Sequence, residues 1–138
     1  MIKIPASILK EIYDHAEKSY PYECCGVMGG TMIGENKTVF AFHICKNLNV
    51  ERARDRYEMD PRDQLRADRE FREHGWDVIG MYHSHPDHPS RPSQTDTDAA
   101  HEGYSYVIIS VEKGKVAKAQ SWLLNGAEKK FYEEEISE

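Results

Sequence analysis

Apolar residues recur at helical spacing near the start of the chain. Over residues 5–20 they occupy positions 8, 9, 12, 13, 16 and 20, a repeat that is typical of an amphipathic helix. Pro5 suits the first helical position, where its missing N–H would have had no partner. Pro21 should end the helix, because proline cannot donate the hydrogen bond that would continue it. The pattern therefore predicts one helix over 5–20.

A β-hairpin is predicted next. The apolar run "CCGVMGG" at 24–30 indicates a short buried strand, and the alternating stretch at 37–45 indicates its hairpin partner. The residues between them, 33–36, have the composition of a turn. Residues 46–56 are polar and charged, and they predict a loop or an edge strand.

A second helix is marked by signals at both of its ends. Asp60 is a good N-cap, Pro61 suits the first turn, and Gly75 suits the position just after the helix. The helix is heavily charged, and its arginines at 62, 66 and 69 share one face by spacing. We interpret this face as solvated, and a stripe that binds a partner is the alternative.

The rest of the chain predicts a central strand and a closing run of strands. Residues 76–85 are mostly apolar, which indicates a strand with neighbours on both sides. They are followed by a predicted short helix at 93–102 and by predicted strands at 104–111, 115–124 and 128–136. This order of elements predicts a mixed sheet with helices packed on it. With 138 residues and no internal repeat or long linker, the chain is expected to form a single domain over residues 1–138.

Charge and cysteine content narrow the range of functions. Lys and Arg number 18 against 24 Asp and Glu, a net charge of −6 that disfavours a general nucleic-acid binder. No apolar stretch is long enough to span a bilayer, and the N-terminus lacks the continuous apolar segment of a signal peptide. Cys24, Cys25 and Cys45 form no CxxC pair and indicate no disulfide framework. We expect a cytoplasmic protein with buried, unreactive thiols.

The segment "HSHPDHPSRPSQTD" carries the candidate chemistry. His83 and His85 lie two residues apart on a predicted strand, so both imidazoles project to one side and Ser84 to the other. Two imidazoles form half of a tetrahedral zinc site, and a catalytic site needs a third ligand and an open position. Asp96 is a candidate ligand, because a proline-rich loop can return the chain. The alternative needs no metal, since Ser93 and Asp96 match the Ser-x-x-Asp pattern of a helix cap.

A zinc hydrolase also needs a general base, because the attacking water must lose a proton. Glu23 is the candidate that the sequence offers. It lies between Pro21 and an apolar strand, where a solvated acid is less expected.

Taken together, these motifs resemble the signature of the JAMM (JAB/MPN+) metalloproteases. That signature is His-Ser/Thr-His, seven residues, Ser, two residues and Asp, and "HSHP" followed by "SQTD" matches every position. "YPYECCGVMGG" is similar to the family segment that carries an upstream glutamate, and "YEMDP" and "WDVIGMYHSHP" are similar to two further segments. The resemblance covers roughly residues 4–125.

The resemblance implies an α/β fold, the MPN/JAB-type α-β-α sandwich, in which helices flank a mixed sheet in a layout related to cytidine deaminases. It implies one zinc ion held by His83, His85 and Asp96, with a water as the fourth ligand. It implies Glu23 as the general acid/base and Ser93 as a donor to the oxyanion. The chain is similar to compact bacterial and archaeal members, which implies cleavage after the C-terminal Gly-Gly of a ubiquitin-like or sulfur-carrier protein.

Several alternatives stay open at this point. The bond cleaved could be a lysine isopeptide or the bond between a carrier and a small amino acid such as cysteine. The tail could dock as an added strand along 49–60, whose arginines could meet an acidic carrier, or this stretch could be an ordinary charged loop. A non-catalytic MPN interaction module is the other function class, and the complete ligand set counts against it. A zinc deaminase would need His-x-Glu and Pro-Cys-x-x-Cys, which the sequence lacks.

Overall fold

Eight strands and three helices make up the computed structural model, which describes residues 1–138. In chain order they are β1 (Ile2–Lys3), α1 (Ala6–Ser19), β2 (Cys25–Ile33), β3 (Asn36–Cys45), α2 (Pro61–Glu73), β4 (Asp77–Pro86), α3 (Gln94–Ala99), β5 (Ser105–Glu112), β6 (Lys115–Asn125), β7 (Lys130–Glu134) and β8 (Ile136–Ser137). None of the three helices has both the length and the apolar character needed to cross a membrane.

All the strands pair in one mixed sheet with the order β7-β6-β5-β4-β2-β3-β1-β8. Neighbouring strands are antiparallel except for β4–β5, β1–β3 and β1–β8, which are parallel. Only Glu135 separates β7 from β8, although these strands stand at opposite ends of the order. The sheet must therefore curl until its two edges meet. Strand β4 lies in its middle, as the apolar run at 76–85 predicted.

Helices cover both faces of this sheet. Side chains alternate along β2, so Met28 joins the larger apolar cluster and Val27 the smaller one. Helix α1 contributes to the larger cluster the buried residues Leu9, Ile12 and Ala16. Helix α2 contributes to the smaller cluster the buried residues Ala67 and Phe71. The predicted arrangement of a mixed sheet between helices is confirmed.

Helix α2 begins and ends where its sequence signals predicted. The side chain of Asp60 accepts a hydrogen bond from the backbone N–H of Arg62. Gly75 follows the helix with a φ of +76°, a conformation that glycine adopts without strain. The arginines at 62, 66 and 69 are all exposed, which agrees with the solvated face that we expected.

Two element predictions near the chain ends are wrong. Pro5 is not the first residue of α1 but its N-cap, and its carbonyl accepts hydrogen bonds from the N–H groups of Ile8 and Leu9. Residues 128–136 are not one strand, because β7 ends at Glu134 and β8 starts at Ile136. The break lets the chain pass from one edge of the curled sheet to the other.

The structure decides between the two alternatives for one segment and corrects the end of one helix. Residues 46–56 form a loop with a turn and not an edge strand, and the pairing of this region is limited to an isolated bridge between Asn47 and Met59. Helix α3 ends at Ala99 and not at 102, because Ala100 already has an extended backbone with a ψ of 156°.

A buried polar network joins strands that are distant in sequence. The ammonium group of Lys37 on β3 donates to the Ser105 hydroxyl at 2.8 Å, and that hydroxyl donates to Glu134 at 2.6 Å. The Ser121 hydroxyl donates to the same carboxylate at 2.9 Å. Buried charges are tolerated when such partners satisfy them. The network thus links β3, β5, β6 and β7 inside the curled sheet. No local sequence pattern predicted it.

The packing of α2 predicts that substitutions at two of its residues change the free energy of unfolding by very different amounts. Phe71 is 2% exposed and packs in the smaller cluster, whereas Leu65 is 54% exposed. We expect Phe71→Ala to lower the free energy of unfolding by about 3–5 kcal/mol, because it leaves a cavity. The control Leu65→Ala should change it by less than about 1 kcal/mol. Urea denaturation measures both, and equal losses would contradict this packing.

Candidate active site

The two histidines of the motif lie on β4 with their rings on the same face of the sheet. His83 stacks on Tyr57 at 4.5 Å between ring centroids, and Tyr57 packs against the smaller cluster on the α2 side. His85 shares this side by alternation, and Ser84 faces the α1 side. All three residues of the His-Ser-His motif are buried. Since β4 pairs with β5 at both histidines and with β2 as far as His83, the two rings have little freedom to move apart.

Asp96, in the first turn of α3, reaches both rings. Its Oδ1 lies 3.3 Å from Nε2 of His83 and its Oδ2 lies 3.1 Å from Nε2 of His85. The two Nε2 atoms are 3.1 Å apart. A tetrahedral zinc ion with bonds of about 2.0–2.1 Å holds its ligand atoms roughly 3.3 Å from one another. The two nitrogens and the carboxylate, which meets each nitrogen through a different oxygen, form a triangle of ligand groups with the spacing that a zinc ion requires.

The tautomer of His85 strengthens this fit. Its Nδ1 lies 2.8 Å from the carbonyl oxygen of Pro89. Because a carbonyl only accepts, Nδ1 carries a proton, so the neutral ring would offer the lone pair of Nε2 to a metal ion. A carbonyl behind a ligating imidazole is the usual support in metal sites. Three electron-pair donors therefore converge on one point, where a cation would neutralise their mutual repulsion.

The protonation states of the three groups depend on one another. Burial lowers the pKa of His83 below its ordinary value. Burial acts in the same direction on the pKa of His85, but the hydrogen bonds to Asp96 and to the Pro89 carbonyl outweigh it and raise that pKa. Burial acts to raise the pKa of Asp96, yet its hydrogen bonds to both histidines hold this pKa well below the usual range. Asp96 is therefore ionised at neutral pH and available as a ligand.

Glu23 lies just before β2, beside the same histidines. One of its carboxylate oxygens and a ring nitrogen of each histidine lie within 4.8 Å of one another, so these three residues could also hold a metal ion. The contacts of Asp96 with the same nitrogens are shorter, at 3.1–3.3 Å. Asp96 is thus the better third ligand, and Glu23 is placed to contact a group bound next to the triangle.

Hydrogen bonds to the backbone hold Glu23 in this position. Its N–H donates to the carbonyl of Ala53 at 2.6 Å, and its carbonyl accepts from the Asn47 side chain at 3.1 Å. The N–H of Cys24 donates to the Ser84 hydroxyl at 2.9 Å, and the N–H of Ser84 donates to the Cys24 carbonyl at 3.1 Å. The residue between the two histidines therefore ties Glu23 to the strand that carries them.

Burial changes the acidity of Glu23. The side chain is largely removed from water, which raises the pKa of Glu23 to about 8, with His85 opposing the shift and Asp96 adding to it. A carboxyl group with a pKa near neutrality can both accept and release a proton at physiological pH. Glu23 therefore has the acidity of a general acid/base.

The proline-rich loop between β4 and α3 is fixed by hydrogen bonds to β5 and β6. The hydroxyl of Ser110 donates to the carbonyl of His88. The indole N–H of Trp122 donates to the carbonyl of Ser90 at 2.9 Å, and the hydroxyl of Ser90 donates to Gln120 at 2.7 Å. Sequence reasoning attributed the return of the chain to the prolines and missed these anchors, because they come from strands about 20–30 residues away.

Ser93 and Asp96 form the helix cap that the sequence suggested as an alternative to a metal site. The hydroxyl of Ser93 accepts from the N–H of Asp96 at 3.0 Å, and the N–H of Ser93 donates to Oδ2 of Asp96 at 2.9 Å. The same oxygen also reaches His85. The two interpretations are therefore compatible, since the cap orients the carboxylate that faces the histidines.

Two cavities flank the site, and Glu23 lines both. The Tyr57 cavity, of about 340 Å³, is lined in part by Tyr57, Met59 and Tyr106. The Arg91 cavity, of about 540 Å³, shares Glu23, Asp55 and Arg56 with the first, and its lining also includes His85, His88, Arg91 and Ser93. A substrate that crosses the site can therefore occupy two pockets of different character.

The thiol groups of the cysteines do not take part in this arrangement. Cys24, Cys25 and Cys45 are all unpaired and buried, as expected. Burial raises the pKa of Cys24 and of Cys45 to about 11, so both thiols stay protonated at neutral pH. A thiol that is not ionised is a poor nucleophile.

Comparison with known proteins gives consistent results. The family model described as prokaryotic homologs of the JAB domain matches residues 5–125. The chain is 37% identical over 105 residues to a desampylase of Haloferax volcanii, which covers 75% of this chain and 73% of that protein. It is 31% identical over 111 residues to the CysO-cysteine peptidase of Mycobacterium tuberculosis, and the match covers 80% of this chain and 73% of that protein.

A solved structure supports the fold. A protein of Desulfitobacterium hafniense, known from its solution structure, superposes on the chain with a TM-score of 0.85 and 36% sequence identity. The match covers 99% of this chain and 91% of that one.

The pKa of Glu23 predicts a pH-dependent stability in metal-free protein. Because this pKa is raised from 4.5 to about 8 on folding, Glu23 stabilises the fold at low pH, and its contribution is lost as the pH rises through this window. Glu23→Gln has no ionisable group at this position, so its stability should not fall in this way as the pH rises. We expect the variant to gain on the order of 1–3 kcal/mol over the parent between pH 5 and pH 8. Urea denaturation after chelation measures this gain. Glu58→Gln, at an exposed residue, is the control, and a gain equal to that of the control would contradict the shift.

Proposed function

The chain belongs to the prokaryotic JAB-domain family and is a JAMM-type peptidase, and we propose that it is a zinc-dependent enzyme that cleaves after the C-terminal Gly-Gly of a ubiquitin-like or sulfur-carrier protein. The observation that carries the proposal is the tight triangle of His83, His85 and Asp96 with Glu23 beside it. The names of the two curated relatives, a desampylase and a CysO-cysteine peptidase, support the substrate class.

His83, His85 and Asp96 would hold one zinc ion per chain. Their 3.1–3.3 Å separations and the second hydrogen bond of His85 support this assignment. Zinc supplies Lewis-acid chemistry, which polarises a carbonyl and lowers the pKa of water. The protein contributes the geometry, because β4 fixes two ligands and the cap of α3 fixes the third.

Glu23 would move the proton in both halves of the reaction. Its carboxylate takes a proton from the attacking water, and its protonated form then delivers a proton to the leaving amine. Its burial and its distance to the histidines support this role. The two hydrogen bonds between Cys24 and Ser84, one in each direction, would keep the carboxyl aligned with the site.

Ser93 would stabilise the oxyanion. Its oxygen accepts the hydrogen bond of the helix cap, so its own hydrogen remains free to donate. Ser93 and His85 line the same cavity, which places the hydroxyl beside the ligand cluster. A donor directed at the developing negative charge lowers the barrier to attack on the scissile carbonyl.

The Tyr57 cavity would take the Gly-Gly tail as an added strand. The N–H of Glu58 donates to the Asn47 side chain, and its carbonyl accepts from Leu48, so these groups face inward. The backbone N–H and C=O groups of Tyr57 and Met59 have no partner in the protein. Alternation along an extended chain directs them to the opposite side, toward the cavity that both residues line. A tail without side chains fits such a narrow edge.

Two broader proposals accompany this one. We propose that residues 1–138 act as a single domain, which agrees with the one sheet that joins all strands. We also propose a cytoplasmic location, which three unpaired cysteines favour.

Substitution of Glu23 tests the mechanism. We expect Glu23→Gln to lower hydrolysis of a Gly-Gly-linked substrate by about a hundredfold or more, because the amide cannot accept the proton. About one zinc ion per chain should remain, since the ligands are intact. The measurement pairs initial rates with elemental analysis, and Glu73→Gln, at an exposed residue of α2 away from both cavities, is the matched control. Unchanged hydrolysis would show that another group is the base.

Removal of a ligand tests the metal assignment separately. We expect His83→Ala to lose at least about tenfold in zinc affinity and to lose hydrolysis, since two ligands hold zinc poorly. His88→Ala should keep the zinc, because His88 lies on the exposed loop. Competition with a chromogenic chelator measures the affinity. Full zinc affinity in His83→Ala would overturn the ligand set, and hydrolysis by a zinc-free protein would overturn the metal requirement.

A further inference from the structure

We propose that Tyr57 is a positioning residue for the zinc ligand His83, and that its stacked ring keeps this imidazole turned toward the metal. This role rests on the proposed function, because it takes the triangle of His83, His85 and Asp96 as the zinc site. Tyr57 would act through the imidazole, without contact to the metal ion and without a part in proton transfer.

The two histidines of the triangle are supported in different ways. His85 donates from Nδ1 to the carbonyl of Pro89 at 2.8 Å, so a hydrogen bond fixes the far side of its ring. The polar contacts of His83, with His85 and Asp96, are both made at Nε2, and its Nδ1 has no hydrogen-bond partner in the protein. The ring torsion of a histidine is soft, and a ligating histidine usually has a second partner that orients its ring. His83 therefore needs another kind of support.

The flat face of Tyr57 provides this support. The two rings are stacked, with centroids 4.5 Å apart and planes inclined by 27°. The ring of His85 meets His83 edge-on, with centroids 4.9 Å apart and an interplanar angle of 64°. His83 is only 2% exposed, so neighbouring side chains and not water surround its ring. In a densely packed interior, rotation of the imidazole about its Cβ–Cγ bond would drive it into the Tyr57 ring.

One side chain, that of Asn47, holds the backbone on both sides of Tyr57. Its amide nitrogen donates to the carbonyl of Arg56 at 3.1 Å, and its oxygen accepts from the N–H of Glu58 at 3.0 Å. The same nitrogen donates to the carbonyl of Glu23 at 3.1 Å. Tyr57 also packs against the smaller apolar cluster. The ring is therefore held firmly enough to restrict its neighbour, and it is fixed relative to the general base.

The ring of Tyr57 also separates His83 from the substrate. Tyr57, Glu23 and Asp96 line the Tyr57 cavity, whereas His83 lines neither cavity. Loss of the ring would open space beside His83 and let the imidazole turn away from the metal. A residue that served only as a wall of the cavity would instead affect the binding of substrate and leave the binding of zinc unchanged. Zinc affinity therefore distinguishes the two roles.

Two variants of Tyr57 test this role without the need for catalysis. We expect Tyr57→Leu, which removes the flat ring, to weaken zinc binding by about tenfold or more, as when an outer partner of a metal ligand is removed. Tyr57→Phe keeps the ring and loses a hydroxyl that forms no hydrogen bond in the protein, so its affinity should stay within about threefold of the parent. Tyr132→Leu, at an exposed tyrosine of β7, is the matched control. Competition with a chromogenic chelator measures all four dissociation constants.

Two results of this titration would overturn the role of Tyr57. One is a zinc affinity in Tyr57→Leu equal to that of the parent, and the other is a loss in Tyr57→Phe as large as that in Tyr57→Leu. If circular dichroism shows that Tyr57→Leu does not fold, Tyr57→Met takes its place with the same expected loss. Methionine fills irregular space in a core but offers no flat face.

A parent protein that binds no zinc would contradict the proposed metal site, and crystal structures of the metal-free variants then decide on Tyr57. In Tyr57→Leu we expect Nε2 of His83 to lie more than about 1 Å from its parental position, a displacement large enough to spoil a site. In Tyr57→Phe the imidazole should stay in place. An imidazole that does not move in Tyr57→Leu would overturn the positioning role.

Discussion

The convergence of three electron-pair donors on one point is the constraint on which the rest of the structure depends. Nε2 of His83, Nε2 of His85 and the carboxylate of Asp96 lie 3.1–3.3 Å from one another in a buried place. Such an arrangement is unfavourable unless a proton or a cation lies among the donors. The fold must therefore hold the donors together against their mutual repulsion. A bound cation would offset this free-energy cost.

The sheet meets this requirement through the position of β4. A central strand paired on both sides cannot slide, so the alternation along it sends two histidines to one face and Ser84 to the other. Ser84 then fixes the start of β2 and with it Glu23. Strand β6, two strands from β4 in the sheet, supplies Trp122 and Gln120, which hold Ser90 of the proline-rich loop. The order of the strands in the sheet therefore determines the position of the site residues more than the sequence of the loops does.

The sequence predicted the parts of this account that depend on local pattern. The helix signals at Asp60 and Gly75, the central apolar run and the His-Ser-His spacing are local, and the structure contains the elements that they indicate. The split of 128–136 and the polar network around Glu134 depend on the closure of the sheet, which no local pattern encodes. The conformation of 46–56 was left open because its polar composition suits both a loop and an edge strand. The hydrogen bonds that anchor the proline-rich loop could not be predicted either, because they too join residues that are distant in sequence.

Two cavities meet at Glu23, one lined by Tyr57 and the other by Arg91. A substrate can react there as proposed only if a metal ion sits in the triangle of His83, His85 and Asp96 and Glu23 stays free for proton transfer. Anomalous diffraction at the zinc edge from crystals of the zinc-loaded protein tests this most directly. The account predicts one peak at about 2.0–2.2 Å from Nε2 of His83, Nε2 of His85 and an oxygen of Asp96, with Glu23 outside bonding distance. A peak ligated by Glu23 in place of Asp96, or no peak at this position, would contradict it.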